Sequence, residues 1–140
     1  MSLSKLGRIR WLLPALGLLV ALAFMSRRHM GQPGGSAPTL APEEAARYEG
    51  REAVVCGAVF EARYMPNLGG QPTFLNFGAS HPEQVFTAVI WERARGAFSA
   101  APEVLYDGEQ ICVSGEIRDH RGTPQIEVDG PGAIRIGPPP

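Results

Sequence analysis

Beyond residue 42 the sequence contains no lysine, and the whole chain has only one, Lys5. Eight arginines face fourteen carboxylates in that stretch, a formal −6, although the complete chain carries only −1. Such a balance repels polyanions overall and excludes strong nonspecific binding to phosphate backbones. Cysteine is nearly as scarce. Two in 140 residues exclude a disulfide-dense scaffold and a self-contained four-cysteine zinc site. No HExxH, GxSxG or Walker-type sequence occurs, and no plausible nucleophile–base pair lies close in sequence, so the motifs of the common hydrolases and nucleotide-binding enzymes are missing. The length excludes two ordinary domains.

What the chain does have is thirty glycines and prolines, a proportion that suits many turns and few long helices. It also has one apolar run, Trp11 to Met25 (WLLPALGLLVALAFM), without a charge. Lys5, Arg8 and Arg10 precede the run; Arg27, Arg28 and His29 follow it. As a helix it would measure about 22 Å, short of a hydrocarbon core of about 30 Å, but snorkelling arginines and an interfacial Trp11 extend its reach. The first reading is a retained single-pass anchor. The second is a cleaved signal peptide, for which Ala21-Leu22-Ala23 would be the cleavage site. Both place the rest of the chain outside the cytoplasm, with the basic flank suited to an anionic membrane surface. The expected organisation is a basic flank (1–10), the apolar segment (11–25), a Gly/Pro/Ser-rich tether (26–41), a folded domain (42–136) and a frayed GPPP tail (137–140).

Within the domain the signals are β. Strands are expected over Glu52–Arg63, Thr73–Phe77, Val85–Trp91, Gln110–Ile117 and Pro124–Val128, with a last short piece at Ala133–Ile136. Pro42-Glu-Glu-Ala-Ala-Arg suits a helix N-terminus, and a short helix is expected within Arg93–Leu105. One internal echo, Y-x-G-x6-G-x-[VI], starts at Tyr48 and again at Tyr106. Each copy reads as a glycine turn feeding a strand with a glycine inside it, which makes Gly57 and Gly115 candidate barrel corners.

The segments YEGREAVVCGAV, GQPTFLNFG, FTAVIW, YDGEQICVSGEI and RGTPQIEV resemble small exported bacterial proteins built on a single OB domain of the tRNA-anticodon and helicase type. The resemblance covers about Pro42 to Ile136. It implies an all-β, five-stranded Greek-key barrel with a short helix between the third and fourth strands. It also implies that the first and fourth strands are neighbours. Cys56 and Cys112 would then share an outer face and could pair in an oxidising compartment; two separate, small buried thiols are the alternative.

In that family the ligand lies on strands two and three, between the first–second and fourth–fifth loops. Alternation separates Leu75 and Phe77 from Phe74 and Asn76, and the resemblance makes Phe74 the outward, base-stacking position. Thr87, Val89 and Trp91 are read as outward on strand three. Arg63 and Tyr64 open one loop, and His120 and Arg121 occupy the other. Together with Arg93 these residues form the candidate ligand site, because aromatic platforms beside arginines are what single-stranded nucleic acid requires. A basic stripe of Arg63, Arg93, Arg95 and Arg121 would offset the acidic balance. In the competing reading, Phe74 and Trp91 simply pack under loops or the short helix.

Three functions are carried forward. The leading one is a non-catalytic, membrane-tethered OB module binding single-stranded nucleic acid. The alternative is an envelope assembly module using the same groove for a peptide or a protein subunit. The third is a haem or metal carrier, suggested by an anchor followed by a small barrel. The His-x-x-x-Tyr attachment pattern of the haem chaperones is absent at both His81 and His120, so neither cofactor nor metal is expected.

Overall fold

The computed structural model describes residues 35–140. The basic flank, the apolar segment and the tether as far as residue 34 lie outside the described residues. Among the described residues no helix is long and apolar enough to cross a membrane.

The chain is mostly β. Its strands are β1 (Thr39–Leu40), β2 (Glu52–Tyr64), β3 (Thr73–Phe77), β4 (Phe86–Ile90), β5 (Gln110–Glu116), β6 (Arg118–His120), β7 (Thr123–Glu127) and β8 (Ile134–Ile136). Two short helices, α1 (Glu92–Arg95) and α2 (Pro102–Tyr106), connect β4 to β5, and a 3-10 helix spans Pro42–Tyr48. The single helix expected within 93–105 is therefore two. Gly96 caps the first, and Pro102 at the first turn starts the second, where its missing N–H is harmless.

The strands make one mixed sheet in the order β6-β7-β4-β3-β2-β5-β8, with β1 added to β2. β2 is antiparallel to both β3 and β5, while β4 and β7 run parallel. Only Ile117 separates β5 from β6. The chain thus joins two distant positions of the strand order, and the sheet curls into a barrel-like form. β2 serves both halves through a register shift between Val59 and Glu61, a bulge that bends the strand. Before that bend the edge that β3 leaves free takes up β1 in parallel, with Val54 N–H donating to the Pro38 carbonyl at 2.8 Å. Residues 39–41, read from the sequence as tether, thus adjoin the sheet. Leu40 is buried in its core, an apolar contribution that an isolated Thr-Leu pair does not announce.

The core follows from alternation. Val55, Val59, Leu75, Phe77, Phe86, Ala88, Ile90, Ile111, Val113 and Ile126 point inward from five strands, each large side chain contributing about 1.5–3 kcal/mol on burial. Phe77 and Phe86 meet at 5.3 Å between ring centroids. Ala45 from the 3-10 helix and Phe98 and Tyr106 from the helical connection also enter the core. The two copies of the echo behave alike: each helix ends in a tyrosine, and Gly50 (φ 78°) and Gly108 (φ 72°) turn the chain into β2 and β5.

At Gly115 a Cβ would lie 2.7 Å from Ile126 Cγ2, so the expected corner is a place where β5 and β7 close on each other. At Gly57 a Cβ would meet Pro42 Cγ at 2.7 Å, beneath the 3-10 helix and before the bulge. Cys56 and Cys112 are direct partners across β2 and β5, and they form a disulfide with their Cα atoms 4.0 Å apart.

Candidate functional site

The register lays two side-chain rows across the outer face of β2, β3, β4 and β7. Arg63, Phe74, Val89 and Glu127 form one; Glu61, Asn76, Thr87 and Gln125 form the next. Leu75 and Phe77 are in the core, so Phe74 takes the opposite face as expected, and it is half-buried. Thr87 and Val89 share that outer face.

Trp91 caps α1, two residues beyond Val89, the partner of Phe74. Diagonal pairs of this kind are about 7–8 Å apart, within reach of aromatic side chains. One edge of the Trp91 ring lies over Gly70 in the β2–β3 loop, where a Cβ would come within 2.8 Å of Cε3. The adjacent Glu92 N–H donates to the Gly70 carbonyl at 3.1 Å. Trp91 therefore anchors the loop, as the packing alternative expected, while remaining half-buried.

Asn76 is 2% exposed, with both amide atoms engaged. Its Nδ2 donates to Glu61 Oε2 at 3.4 Å, and its Oδ1 accepts from Thr87 Oγ1 at 3.1 Å. It holds the sheet's polar row together and has no exposed edge for a ligand.

The arginines divide sharply. Arg63 and Arg121 are exposed and make no ion pair among the described residues. Arg93 is exposed, 3.9 Å from Asp129. Arg95, expected in a basic stripe, is instead withdrawn from the surface. Its side chain is 15% exposed, and its guanidinium grips Glu103 at 2.7 and 3.2 Å, sits 3.3 Å from Glu92 and donates to Thr73 Oγ1. It also lies 3.8 Å over the Tyr64 ring, a cation–π contact that occupies one face of that ring.

The Tyr64 hydroxyl donates to Glu92 at 3.2 Å. Desolvation first, then the Glu92 hydrogen bond and charge, push the phenol above its ordinary value. The Arg95 hydrogen bond holds the Glu103 carboxyl below its ordinary value despite partial burial. This knot fastens α1, α2 and the ends of β2 and β3. The sequence reading missed it, although the i,i+3 spacing of Glu92 and Arg95 was a visible signal.

His120 ends β6, paired with Thr123, and Arg121 begins the β6–β7 turn at φ 54°, with Asp119 accepting from the Gly122 N–H at 3.1 Å. Because β7 runs parallel to β4 with Gln125 beside Thr87, Thr123 is level with Val85. The turn therefore lies about 13 Å along the sheet from the Arg63 row at about 3.3 Å per residue. The structure thus gathers Arg63, Phe74 and Trp91, with Tyr64 and Arg93 beside them, and leaves His120 and Arg121 at the other end.

A separate shallow groove of about 460 Å³ opens where β2 leaves β3, lined by Pro42, Gly57, Ala58, Phe60 and Gly78. Phe60, on the bulge, is 61% exposed. Among the described residues no group of three or more His, Cys, Asp and Glu side chains is placed to hold a metal ion.

No family model matches the sequence, and no curated protein matches it closely. Among solved structures, the asparaginyl-tRNA synthetase from Pyrococcus horikoshii is similar at 16% identity and a TM-score of 0.46, over 69% of this chain and 22% of that one. A protein described as an aspartyl-tRNA synthetase from Leishmania major Friedlin is similar at 11% identity and a TM-score of 0.46, over 85% of this chain and 25% of that one. The chain spans a quarter or less of the length of either. Likeness at this level identifies neither a ligand nor an activity.

Proposed function

We propose that residues 36–140 form an OB-type binding module, without catalysis of its own, that holds single-stranded nucleic acid against the outer face of β3 and β4. The observation that carries this reading is Phe74 flanked by Arg63 with Trp91 diagonal to it, two half-buried aromatic rings beside an unpaired guanidinium, over a buried Val89. Stacking on such platforms is worth about 1–3 kcal/mol per base and tolerates any sequence. The OB assignment is supported by connectivity. β2 pairs with both β3 and β5, β4 lies parallel to β7, and the β5–β6 arm returns to β7, the pattern of a Greek-key barrel.

Among the described residues four cations, Arg63, Arg93, Arg118 and Arg121, lie on this side, where they can reach phosphate. The affinity should therefore fall with salt on a log–log slope of about −3 at most, far shallower than for a basic protein. Fluorescence anisotropy with a labelled oligothymidine at low salt tests the reading. Micromolar binding is expected, weakened about tenfold by Phe74→Ala, in line with the loss of one stacked base. No binding at high micromolar protein, or binding untouched by that substitution, overturns it.

In the same reading the apolar segment 11–25 holds the module on the outer side of the cytoplasmic membrane, or directs its secretion. The Cys56–Cys112 bond supports an oxidising location. Intact mass of the protein from its native membrane fraction distinguishes a retained anchor from a cleaved one.

A second reading, a peptide-binding assembly module, is favoured by one specific feature, the exposed Phe60 over the groove at the β2 bulge. Crosslinking in membranes should then recover one reproducible protein partner with the native chain and lose it with Phe60→Asp. Recovery of none counts against this reading.

A further inference from the structure

The cystine sits in an asymmetric setting. Cys56 is 6% and Cys112 2% exposed. β8 lies beside β5 with Arg135 directly opposite Cys112. The Arg135 guanidinium is 3.3 Å from Cys112 Sγ, and its Nη2 also donates to the Pro138 carbonyl at 2.6 Å. The neighbouring outer-face pairs on β2 and β5 are Val54 with Ser114 and Ala58 with Gln110, none of them charged. The nearest carboxylates in register, Glu52 and Glu116, lie one further pair away, about 13 Å along the strand at about 3.3 Å per residue. Arg135 is therefore the one formal charge in contact with either sulfur among the described residues.

We propose that Cys56–Cys112 is a thiol-exchange site of fixed direction, in which a small thiolate adds to Cys56 and Cys112 departs. The direction is electrostatic: a thiol that leaves as a stabilised thiolate leaves faster, and a cation in contact lowers a cysteine's pKa. Only Cys112 has that cation. Access does not distinguish the two sulfurs, since β8 and Arg135 flank Cys112 while residues 39–42 flank β2 beside Cys56, with Pro42 over Gly57.

The step balances without an outside oxidant. The thiolate RS⁻ forms a bond to Cys56 Sγ as the Cys56–Cys112 bond breaks. The bonding electron pair goes to Cys112 Sγ, and the products are a Cys56–S–S–R mixed disulfide and a Cys112 thiolate held by Arg135. A second equivalent of the same thiol would complete reduction.

The experiment uses the intact oxidised chain and reduced glutathione under native conditions, with rapid acid quenching, alkylation of free thiols and peptide mass mapping. Glutathione is expected on Cys56 and the alkyl label on Cys112, at least tenfold over the reverse. Equal occupancy, or glutathione mainly on Cys112, overturns the proposal. In Arg135→Gln the preference should collapse toward parity; an unchanged preference removes Arg135 from the argument and overturns it as well. A second measurement takes Cys56→Ser, shown by circular dichroism to be folded, and titrates Cys112 by thiolate absorbance. Its pKa should rise when Arg135→Gln is added, because the cation that favours the thiolate is lost. Equal values in the two variants would overturn the proposal. The mapping on the native chain does not depend on that variant folding.

Discussion

Arg95 shows how a surface-type residue becomes a fastener. Its charge is matched by Glu103 and Glu92, its plane by the Tyr64 ring, and one more donor by Thr73. Breaking a largely buried pair is costly because a desolvated charge is left behind. Glu92 remains as a partner, however, and the site keeps some solvent contact, so Glu103→Gln should cost about 1–3 kcal/mol at neutral pH. The sign of the pH dependence follows from Glu103, whose carboxyl is held below its ordinary 4.5. The unfolded chain takes up the proton first, so this contribution is complete above about 4.5 and vanishes as pH falls through the lower folded value. Urea unfolding at pH 7 and at pH 3 should show a narrower gap between wild type and Glu103→Gln at pH 3 than at pH 7. Gly115 makes a different demand. A methyl group there would press on Ile126 Cγ2 at 2.7 Å with φ at 159°, and Gly115→Ala should cost about 1–3 kcal/mol, the range for overpacking. Alternation alone separated Phe74 from Leu75 and Phe77, and the core position of those two decides that Phe74 faces outward. The burial of Asn76 was not legible, because it depends on Glu61 and Thr87, which only pairing brings alongside.

At the level of elements, periodicity located the strands well wherever one face stays polar. β3 begins and ends where the pattern placed it, and β2 and β5 agree to within a residue at either end. β4 is the opposite case. All five of its residues are buried, so its sequence shows no alternation, and the register against β3 decides that Phe86, Ala88 and Ile90 face inward. β1 was missed because two residues carry no period. Its contribution is testable: a chain beginning at residue 42 loses the buried Leu40 and the Val54–Pro38 hydrogen bond. Relative to a chain beginning at residue 36, its stability by urea unfolding should fall by about 2–4 kcal/mol. β6 was also unmarked. Its three exposed residues have no hydrophobic pattern, and they become a strand because β7 offers them partners.

For the whole molecule, the cystine and the charge balance set the expectations. The disulfide closes a loop with a sequence separation of 56, worth up to about 4 kcal/mol through the unfolded state. Complete reduction should lower the urea midpoint without changing the strand signature of the circular dichroism spectrum. An unchanged midpoint would show that the barrel packing alone sets the stability. The net −6 was evident from residue counting and bounds any nucleic-acid affinity, since counterion release scales with the phosphates neutralised.

By itself the amino-acid order determined the β class, the positions of the main strands, the separation of Phe74 from Leu75 and Phe77 and the acidity of the domain. Those properties depend on composition and on a two-residue period, and both can be read along a single chain. Only the tertiary structure decided which arginines remain free, which side of the cystine carries a cation, and that His120 and Arg121 stand apart from Phe74. Each of these depends on which distant strands lie next to one another, and strand pairing is set by the closure of the whole sheet, not by any local segment.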